Sequence, residues 1–94
     1  MREFVWDKSF RSAFRRIVHQ NPLLKRKIFL VLSLLEADPY TPALQALPLT
    51  GELAGLSSCW VDQDCRIIYT VKQRPDFDRE LILLVDIGKA DEAY

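Results

Sequence analysis

The sequence predicts an α+β domain in which two N-terminal helices pack on one face of a small, mostly antiparallel sheet. Three observations lead to this prediction. Apolar residues recur at helical spacing in two segments before residue 37, two strand-like runs flank a short acidic turn at 62–64, and a continuous apolar run lies near the end of the chain. The order of elements is β-α-α-β-β-β, and 94 residues suffice for one domain over 1–94.

The N-terminal segment is predicted to form a short strand and an amphipathic helix. Residues 3–6 are β-prone, and Asp7 or Ser9 can cap the helix that follows. This helix ends near Gln20, because Pro22 disfavours a helical conformation of the residue before it. Its buried stripe has the spacing i, i+3, i+4, i+7, i+8 and consists of Phe10, Ala13, Phe14, Ile17 and Val18.

A second helix is predicted to follow, with Asn21 as its cap, Pro22 at its first position and its end near Ala37. Its core stripe consists of Leu24, Ile28, Val31, Leu32 and Leu35. Four more residues widen the apolar surface beyond one stripe: Leu23, Phe29, Leu30 and Leu34. The helix is therefore either covered on two sides or leaves a groove for a partner chain.

The central stretch is predicted to be a β-hairpin. Its two strands are Leu56–Val61 and Cys65–Val71. If 62–64 is a three-residue loop, Val61 faces Cys65 and Trp60 faces Arg66. A two-residue loop would shift the register by one and scramble the two faces.

The three-residue loop gives the hairpin one apolar and one mixed face. The apolar face is predicted to be core and carries Cys59, Val61, Cys65, Ile67, Tyr69 and Val71. The mixed face is predicted to make contacts and carries Trp60, Arg66, Ile68, Thr70 and Lys72.

The last predicted strand runs from Leu81 to Ile87. Its apolar side chains are nearly continuous, which is typical of a central strand that is buried on both faces. Asp86 is the exception to this pattern, Gly88 ends the strand, and 89–94 form a short polar tail with an aromatic end.

The formal net charge is zero, but the two halves of the chain differ in sign. Residues 1–35 contain eight basic and two acidic residues, a net charge of plus six, and residues 36–94 contain five basic and eleven acidic residues, a net charge of minus six. This asymmetry fits either a basic face for a polyanion or acidic partner, or simply two solvated amphipathic helices.

Composition also bears on compartment and chemistry. Cys59 and Cys65 are not a disulfide framework and have no nearby metal-ligand partner, so buried thiols are favoured, with a bridge across the hairpin left open. The N-terminus lacks the apolar stretch of a signal peptide, and the apolar run 28–35 is too short to span a bilayer. We therefore expect a soluble, cytoplasmic protein that needs neither metal nor cofactor.

Three segments carry a resemblance to a known family. The first is Leu-Thr-Gly-Glu-Leu-Ala-Gly-Leu at 49–56, similar to the pattern L-x-G-x-L-x-G. The second is Asp-Cys-Arg-Ile-Ile-Tyr at 64–69, close to D-Y-R-I-I-Y. The third is Leu-Leu-Val-Asp-Ile-Gly-Lys-Ala-Asp-Glu-Ala-Tyr at 83–94, like L-L-x-I-G-x-H-D-E-V-Y. In this order they resemble the RelE/ParE superfamily of toxins from bacterial toxin–antitoxin pairs, and the hairpin is most similar to YafQ- and RelE-like members.

The resemblance implies cleavage of mRNA in the ribosomal A site without a metal. The RNA's own 2′-hydroxyl attacks the adjacent phosphate, so the protein moves protons and stabilises the developing charge. Arg66 matches the family's strand arginine, whose planar guanidinium suits bidentate phosphate binding, and Lys89 would hold the same phosphate. Tyr94 matches an aromatic position that stacks or transfers a proton. Asp64 matches an acidic position of the YafQ-like group.

The resemblance also implies partners. The basic residues of the two helices would bind ribosomal RNA: Arg11, Arg15, Arg16, Lys25, Arg26 and Lys27. Trp60, on the contact face of the hairpin, is expected to contribute to RNA binding. A cognate antitoxin is expected to bind and neutralise the protein.

The sequence departs from the family pattern at several positions. The family's C-terminal histidine falls on Ala90, a hairpin histidine falls on Trp60, and an arginine of the YafQ-like group falls on Asp86. Two other functions therefore stay open: a ParE-like protein that binds a protein target such as DNA gyrase, and a homologue that has lost catalysis.

Structural roles for the two main site residues also stay open. Arg66 is expected to face an open hollow beside Tyr94, but it can instead pair with an acidic residue, and Tyr94 can be a frayed terminus. The acidic candidates for such a pair are Asp62, Asp64 and Asp86.

Overall fold

The computed structural model describes residues 2–74 and 79–88, which form two α-helices and one five-stranded sheet. The elements are β1 (Arg2–Trp6), α1 (Lys8–Gln20), α2 (Leu23–Ala37), β2 (Leu47–Pro48), β3 (Ser57–Asp62), β4 (Cys65–Gln73) and β5 (Glu80–Gly88). Short 3-10 turns lie at Pro42–Leu44 and Gly51–Leu53. In this part of the chain, none of the helices combines the length and apolarity needed to cross a membrane.

The sheet has the strand order β1-β5-β4-β3-β2. β1 is parallel to β5, and the other neighbours are antiparallel. The predicted α+β architecture is confirmed, with β5 in the interior of the sheet. The two-residue edge strand β2 was not predicted, because so short a strand leaves no alternating pattern in the sequence.

One hydrophobic core lies between the helices and one face of the sheet. α1 contributes Phe10 and Ala13, and α2 contributes its core stripe, with Ile28 and Leu35 completely buried. The sheet contributes Cys59, Val61, Cys65, Ile67, Tyr69, Ile82, Leu84 and Ile87. The apolar face predicted for the hairpin is therefore the core face, although Val71 is only half-buried.

The turn of the hairpin is shorter than predicted. Asp62 pairs with Cys65, so the turn consists of two residues, and the predicted pair of Val61 with Cys65 is wrong. Trp60 nevertheless pairs with Arg66 as expected, because the register shifts at Val61. This irregularity absorbs the extra residue and keeps the apolar side chains on the core face.

β5 is not buried on both faces, contrary to the prediction. Ile82 and Leu84 are buried, whereas Leu81 and Leu83 are half-buried, because the helices cover only one face of the sheet. A register shift follows, since Tyr69 of β4 pairs with Leu84 while its neighbour Ile68 pairs with Asp86. The shift returns Ile87 to the core side.

α2 leaves a broad apolar surface exposed. Leu23, Leu30 and Phe29 are 83%, 63% and 44% exposed, so the described chain does not cover this helix on two sides. α2 begins at Leu23, one residue later than predicted, and the cap position is held by Pro22. Asn21 instead ends α1, where its N–H donates to the carbonyl oxygen of Ile17.

The side chain of Arg2 joins the first strand to the end of α2. Its Nη1 donates to the carbonyl oxygens of Glu36, at 3.0 Å, and Ala37, at 2.8 Å. Its Nε donates to Oε1 of Glu80 at 2.9 Å. The guanidinium thereby satisfies terminal carbonyls of the helix and places positive charge at the negative end of its dipole.

We expect Arg2→Ala to lower the free energy of unfolding by about 1.5 kcal/mol, because helix-end carbonyls and Glu80 lose a charged donor. Urea denaturation followed by circular dichroism measures this. Arg79→Ala is the control, since the side chain of Arg79 forms an exposed ion pair with Glu3 in the described chain, and its cost should stay below about 0.5 kcal/mol. Equal costs for the two variants would contradict the role assigned to Arg2.

Candidate active site on the open face of the sheet

Arg66 lies on the face of the sheet that the helices leave open. Side chains alternate between the two faces of a strand, and the neighbours Cys65 and Ile67 both point into the core. Arg66 pairs with Trp60 of β3 on one side and with Gly88 of β5 on the other. The structure therefore brings together the predicted phosphate-binding residue and the predicted aromatic contact.

Gly88 is the residue of β5 that pairs with Arg66. A Cβ atom built on Gly88 would meet no heavy atom within 4 Å. Arg66 is half-buried, and in residues 2–74 and 79–88 it forms no ion pair with any carboxylate. Within the described chain, none of the three acidic candidates, Asp62, Asp64 and Asp86, is therefore its ion-pair partner.

The next row of the open face consists of Ser58, Ile68 and Asp86. Ile68 is 1% exposed and lies outside the main core cluster, so the mixed face is more closely packed than predicted. The carboxylate of Asp86 accepts a hydrogen bond from the N–H of Ile87 at 2.8 Å. This row places a negative charge near the proposed phosphate site, where the YafQ-like pattern has an arginine.

Asp64 lies in the turn of the hairpin, on the rim of a hollow that Arg66 does not line. This hollow has a volume of about 210 Å³ and lies between the junction of the helices and the hairpin. Its walls are Ile17, Gln20, Asn21, Leu24, Asp62, Asp64, Cys65 and Gly88. Arg66 is not part of its lining, so the two predicted site residues do not share this hollow.

Two predicted catalytic residues, Lys89 and Tyr94, lie outside the described residues, as does Ala90. Their predicted roles, and the hollow that Arg66 was expected to share with Tyr94, stay predictions. Gly88, which pairs with Arg66, was not among the predicted site residues. Its signal was present in the sequence, in the Ile-Gly pair of the closing motif.

The predicted RNA-binding cations lie on the helices, across the sheet from Arg66. Five of them are exposed and form no ion pair within the described part of the chain: Arg11, Arg15, Arg16, Lys25 and Arg26. The sixth is Lys27, whose Nζ lies 2.9 Å from Oδ2 of Asp62. Lys27 therefore holds the hairpin against α2, a role that sequence reasoning missed because the partners are distant in the chain.

The two cysteines are buried free thiols on the core side of the hairpin. Burial raises the pKa of Cys59 to about 12 and that of Cys65 to about 11. A thiol with so high a pKa is a poor nucleophile at neutral pH. The bridge across the hairpin does not occur, and neither thiol is suited to covalent catalysis.

Bacterial toxins of known structure share this fold, although no protein-family model and no curated protein matches the sequence. A YoeB/ParE toxin from Agrobacterium tumefaciens has a TM-score of 0.79 at 17% identity, over 93% of this chain and 97% of that one. YafQ in the E. coli DinJ-YafQ toxin-antitoxin complex has a TM-score of 0.75 at 17% identity, over 99% and 97%. A metal-bound toxin from Helicobacter pylori has a TM-score of 0.74 at 23% identity, over 100% of both chains. The chain thus has the same fold as these bacterial toxins, as the sequence resemblance predicted.

We expect Lys27→Met to raise the pKa of Asp62. The hydrogen bond from Lys27 holds the pKa of the Asp62 carboxyl below its ordinary value. The pair therefore stabilises the folded protein at pH values above the ordinary carboxyl pKa. This stabilisation is lost as the pH falls through the lowered pKa. An NMR titration of the Asp62 side chain measures the shift. Lys25→Met, on the same helix but without an ion pair in the described chain, should leave the pKa of Asp62 unchanged.

We expect neither thiol to react with a disulfide reagent at pH 8 within minutes, because a group with a pKa near 12 is about one ten-thousandth ionised there. Both Cys59 and Cys65 should react once the protein is unfolded in guanidinium chloride. The measurement is the absorbance of the released thiolate. Rapid reaction of one thiol in the native protein would contradict the buried positions.

Proposed function

We propose that this chain is the toxin of a type II toxin–antitoxin pair and that it cleaves mRNA on the ribosome. The observation that carries the proposal is Arg66, whose guanidinium is unpaired in the described chain and lies beside Trp60 and Gly88 on the open face of a toxin fold. The three sequence segments that resemble the family support the same function.

The proposed chemistry is attack of the RNA's 2′-hydroxyl on the adjacent phosphate. As the bond to the leaving 5′-oxygen lengthens, negative charge grows on the phosphate oxygens. Arg66 would donate two parallel N–H bonds to these oxygens, and its charge would stabilise the transition state more than the ground state. The half-buried setting strengthens this effect, because less water screens the charge.

Proton transfer requires groups besides Arg66, because a guanidinium carries only N–H donors and has no acceptor atom for a proton. We assign this part to Tyr94, with Lys89 as a second phosphate contact, on the basis of the family pattern. Asp64 has a weaker assignment, since it faces the hollow at the junction of the helices. We expect Asp64→Asn to change cleavage much less than a change at Arg66.

The exposed cations of the helices fit binding to ribosomal RNA. Arg11, Arg15 and Arg16 on α1, with Lys25 and Arg26 on α2, give the protein a surface of high positive charge density. Phosphate contacts of this kind release counterions, so affinity for the ribosome should fall steeply with salt. Lys27 is expected to contribute least, because it is neutralised by Asp62.

An antitoxin is the proposed protein partner. The E. coli toxin YafQ has been solved in a toxin-antitoxin complex with DinJ. By analogy, the product of a gene adjacent to the one that encodes this chain is the first candidate. The exposed apolar surface of α2 around Leu23 and Leu30 is a site at which such a partner can bury area.

Primer extension on translated mRNA tests the proposal. Induction of the wild-type chain should create new 5′ ends, and Arg66→Ala should lower the cleavage rate about 10² to 10³-fold, the usual cost of a donor to a developing oxyanion. Arg66→Lys should recover only part of the rate, because an ammonium ion keeps the positive charge but cannot donate two parallel N–H bonds to the phosphate.

Lys72→Ala is the matched control. Lys72 is an exposed cation on the same strand, six residues from Arg66, and its removal should not change the cleavage rate. New 5′ ends that persist unchanged in Arg66→Ala would remove Arg66 from the reaction, and the absence of any new 5′ ends would refute mRNA cleavage.

A second function is favoured by one specific observation. Ala90 replaces the family's C-terminal histidine, and no basic residue lies between 56 and 63, so the chain has few groups for acid–base chemistry. A ParE-like protein that acts by binding DNA gyrase needs no group for acid–base chemistry. Inhibition of gyrase supercoiling by the purified protein, without mRNA cleavage, would establish this alternative, and a protein that does neither when overexpressed would be a homologue without toxicity.

A further inference from the structure

A second hollow lies where the loop after α2 and the segment before β3 meet β4. Its volume is about 430 Å³, about twice that of the hollow at the hairpin turn. Sites for small molecules commonly have volumes of about 300–1,000 Å³, so this hollow has the size of a ligand site. Its walls are Pro39, Tyr40, Ala46, Pro48, Gly55, Ser57, Tyr69, Thr70 and Val71.

Tyr69 has its ring in the core and its hydroxyl group at this hollow. The residue is 3% exposed and belongs to the main core cluster. Within residues 2–74 and 79–88 the hydroxyl group makes no hydrogen bond, yet its oxygen is not completely enclosed. A buried tyrosine hydroxyl normally has a partner, because leaving such a bond unmade costs free energy. The hydroxyl of Tyr69 therefore indicates a partner that enters the hollow from outside the chain.

The hollow offers two hydroxyl groups for hydrogen bonds. Burial raises the pKa of Tyr69 to about 12, so this hydroxyl keeps its proton at neutral pH and can donate it. Ser57 is half-buried, and its hydroxyl also has no hydrogen-bond partner in the described chain. The third hydroxyl of the wall is already used, since Thr70 donates to the carbonyl oxygen of Gly55 at 3.0 Å.

An exposed aromatic ring lies at the rim of the hollow. Tyr40 is 69% exposed, whereas its neighbour Pro39 is completely buried. The backbone N–H of Tyr40 donates to Oδ1 of Asp38 at 2.9 Å, which fixes the turn that carries the ring. A planar group that enters the hollow can stack on this ring, and the prolines of the wall add rigid apolar surface.

The charges around the hollow disfavour an anion. None of the described residues of its wall is charged, so an isolated charge placed inside would be costly. The hydroxyl oxygen of Tyr40 lies 3.4 Å from Oε2 of Glu80, and its N–H contacts Asp38. Glu80 is paired with Arg2, but Asp38 forms no ion pair in the described chain. The rim is thus negative, and an uncharged ligand fits better than a phosphate ester.

We propose that this hollow binds an uncharged planar ring that carries a carbonyl group, the chemistry of a free oxopurine nucleoside. The hydroxyl of Tyr69 donates to the ring carbonyl, Ser57 supplies a second hydrogen bond, and the ring stacks on Tyr40 at the rim. The site is separate from the proposed phosphate site, because Arg66 does not line this hollow and lies on the other face of β4.

Three matched probes test the proposal by NMR titration of the ¹⁵N-labelled protein. Inosine should shift the amide signals of Ser57 and Thr70 with a Kd of about 1 mM or tighter. Purine riboside lacks the carbonyl oxygen of inosine and should bind about fivefold more weakly, because one hydrogen bond is lost. Inosine 5′-monophosphate adds negative charge and should bind at least about threefold more weakly than inosine.

Tyr69→Phe removes the hydroxyl and keeps the ring. It should weaken binding of inosine about fivefold, to the level of purine riboside, and should leave binding of purine riboside within about twofold. The Tm of this variant should not fall, because the hydroxyl makes no hydrogen bond within the described chain of the free protein.

Two variants of Tyr40 test the stacking. Tyr40→Ala should weaken binding of inosine and of purine riboside at least about fivefold, because both lose the ring on which they stack. Tyr40→Phe is the matched control, since it keeps the ring and removes only the hydroxyl near Glu80, and it should leave both affinities within about twofold.

Four results would overturn the proposal. The first three are no binding of inosine up to about 10 mM, equal affinities of wild-type protein for inosine and purine riboside, and a lowered Tm of Tyr69→Phe. The fourth is tighter binding of inosine 5′-monophosphate, or of a six-residue inosine RNA, than of inosine. This result would assign the hollow to a base of an RNA strand instead of a free nucleoside. None of the four bears on mRNA cleavage, which primer extension tests at Arg66.

Discussion

The two helices cover only one face of this five-stranded sheet. This one-sided cover decides which side chains are in the core and which lie on the other face. The covered face takes the apolar side chains of the central strands and forms the only large core of the described chain. The other face keeps the alternate residues, so Arg66 and Trp60 stand outside the core although Cys65 and Ile67 beside them are buried. The pleat of β4 thus separates the candidate site from the hydrophobic core.

The same one-sided cover explains the distribution of charge. The basic half of the chain forms the helices, and the acidic half supplies most of the sheet and its loops. Lys27 and Asp62 join the two halves directly. A polyanion bound along the helices would therefore meet positive charge on one side of the molecule, while Asp86 limits the positive potential around Arg66 on the other.

Much of the fold could be predicted from the sequence because its signals are local. Helical spacing located α1 and α2, and β-rich runs around an acidic turn located β3 and β4. The errors arose where distant contacts decide the outcome. The register shift at Val61 depends on the core that the helices provide, and the half-exposed state of Leu81 and Leu83 depends on which face those helices cover.

The site could be predicted only in part, for a related reason. Motif spacing made Arg66 a candidate, and a cross-strand argument predicted its pairing with Trp60; the structure confirms the pairing. The ion pair of Lys27 with Asp62 joins residues 35 positions apart, and no local sequence pattern predicts such a contact. Asp64 lies in the turn in both the predicted and the observed hairpin, but the hollow that it lines does not include Arg66.

Gly88 has a consequence for protein engineering. It sits opposite Arg66, its backbone lies outside the left-handed region, and a methyl group there would encounter no obstacle. This rung of the sheet can therefore accept a new side chain without strain. A histidine grafted there would lie on the same rung as the guanidinium and would add a titratable imidazole beside the proposed phosphate site.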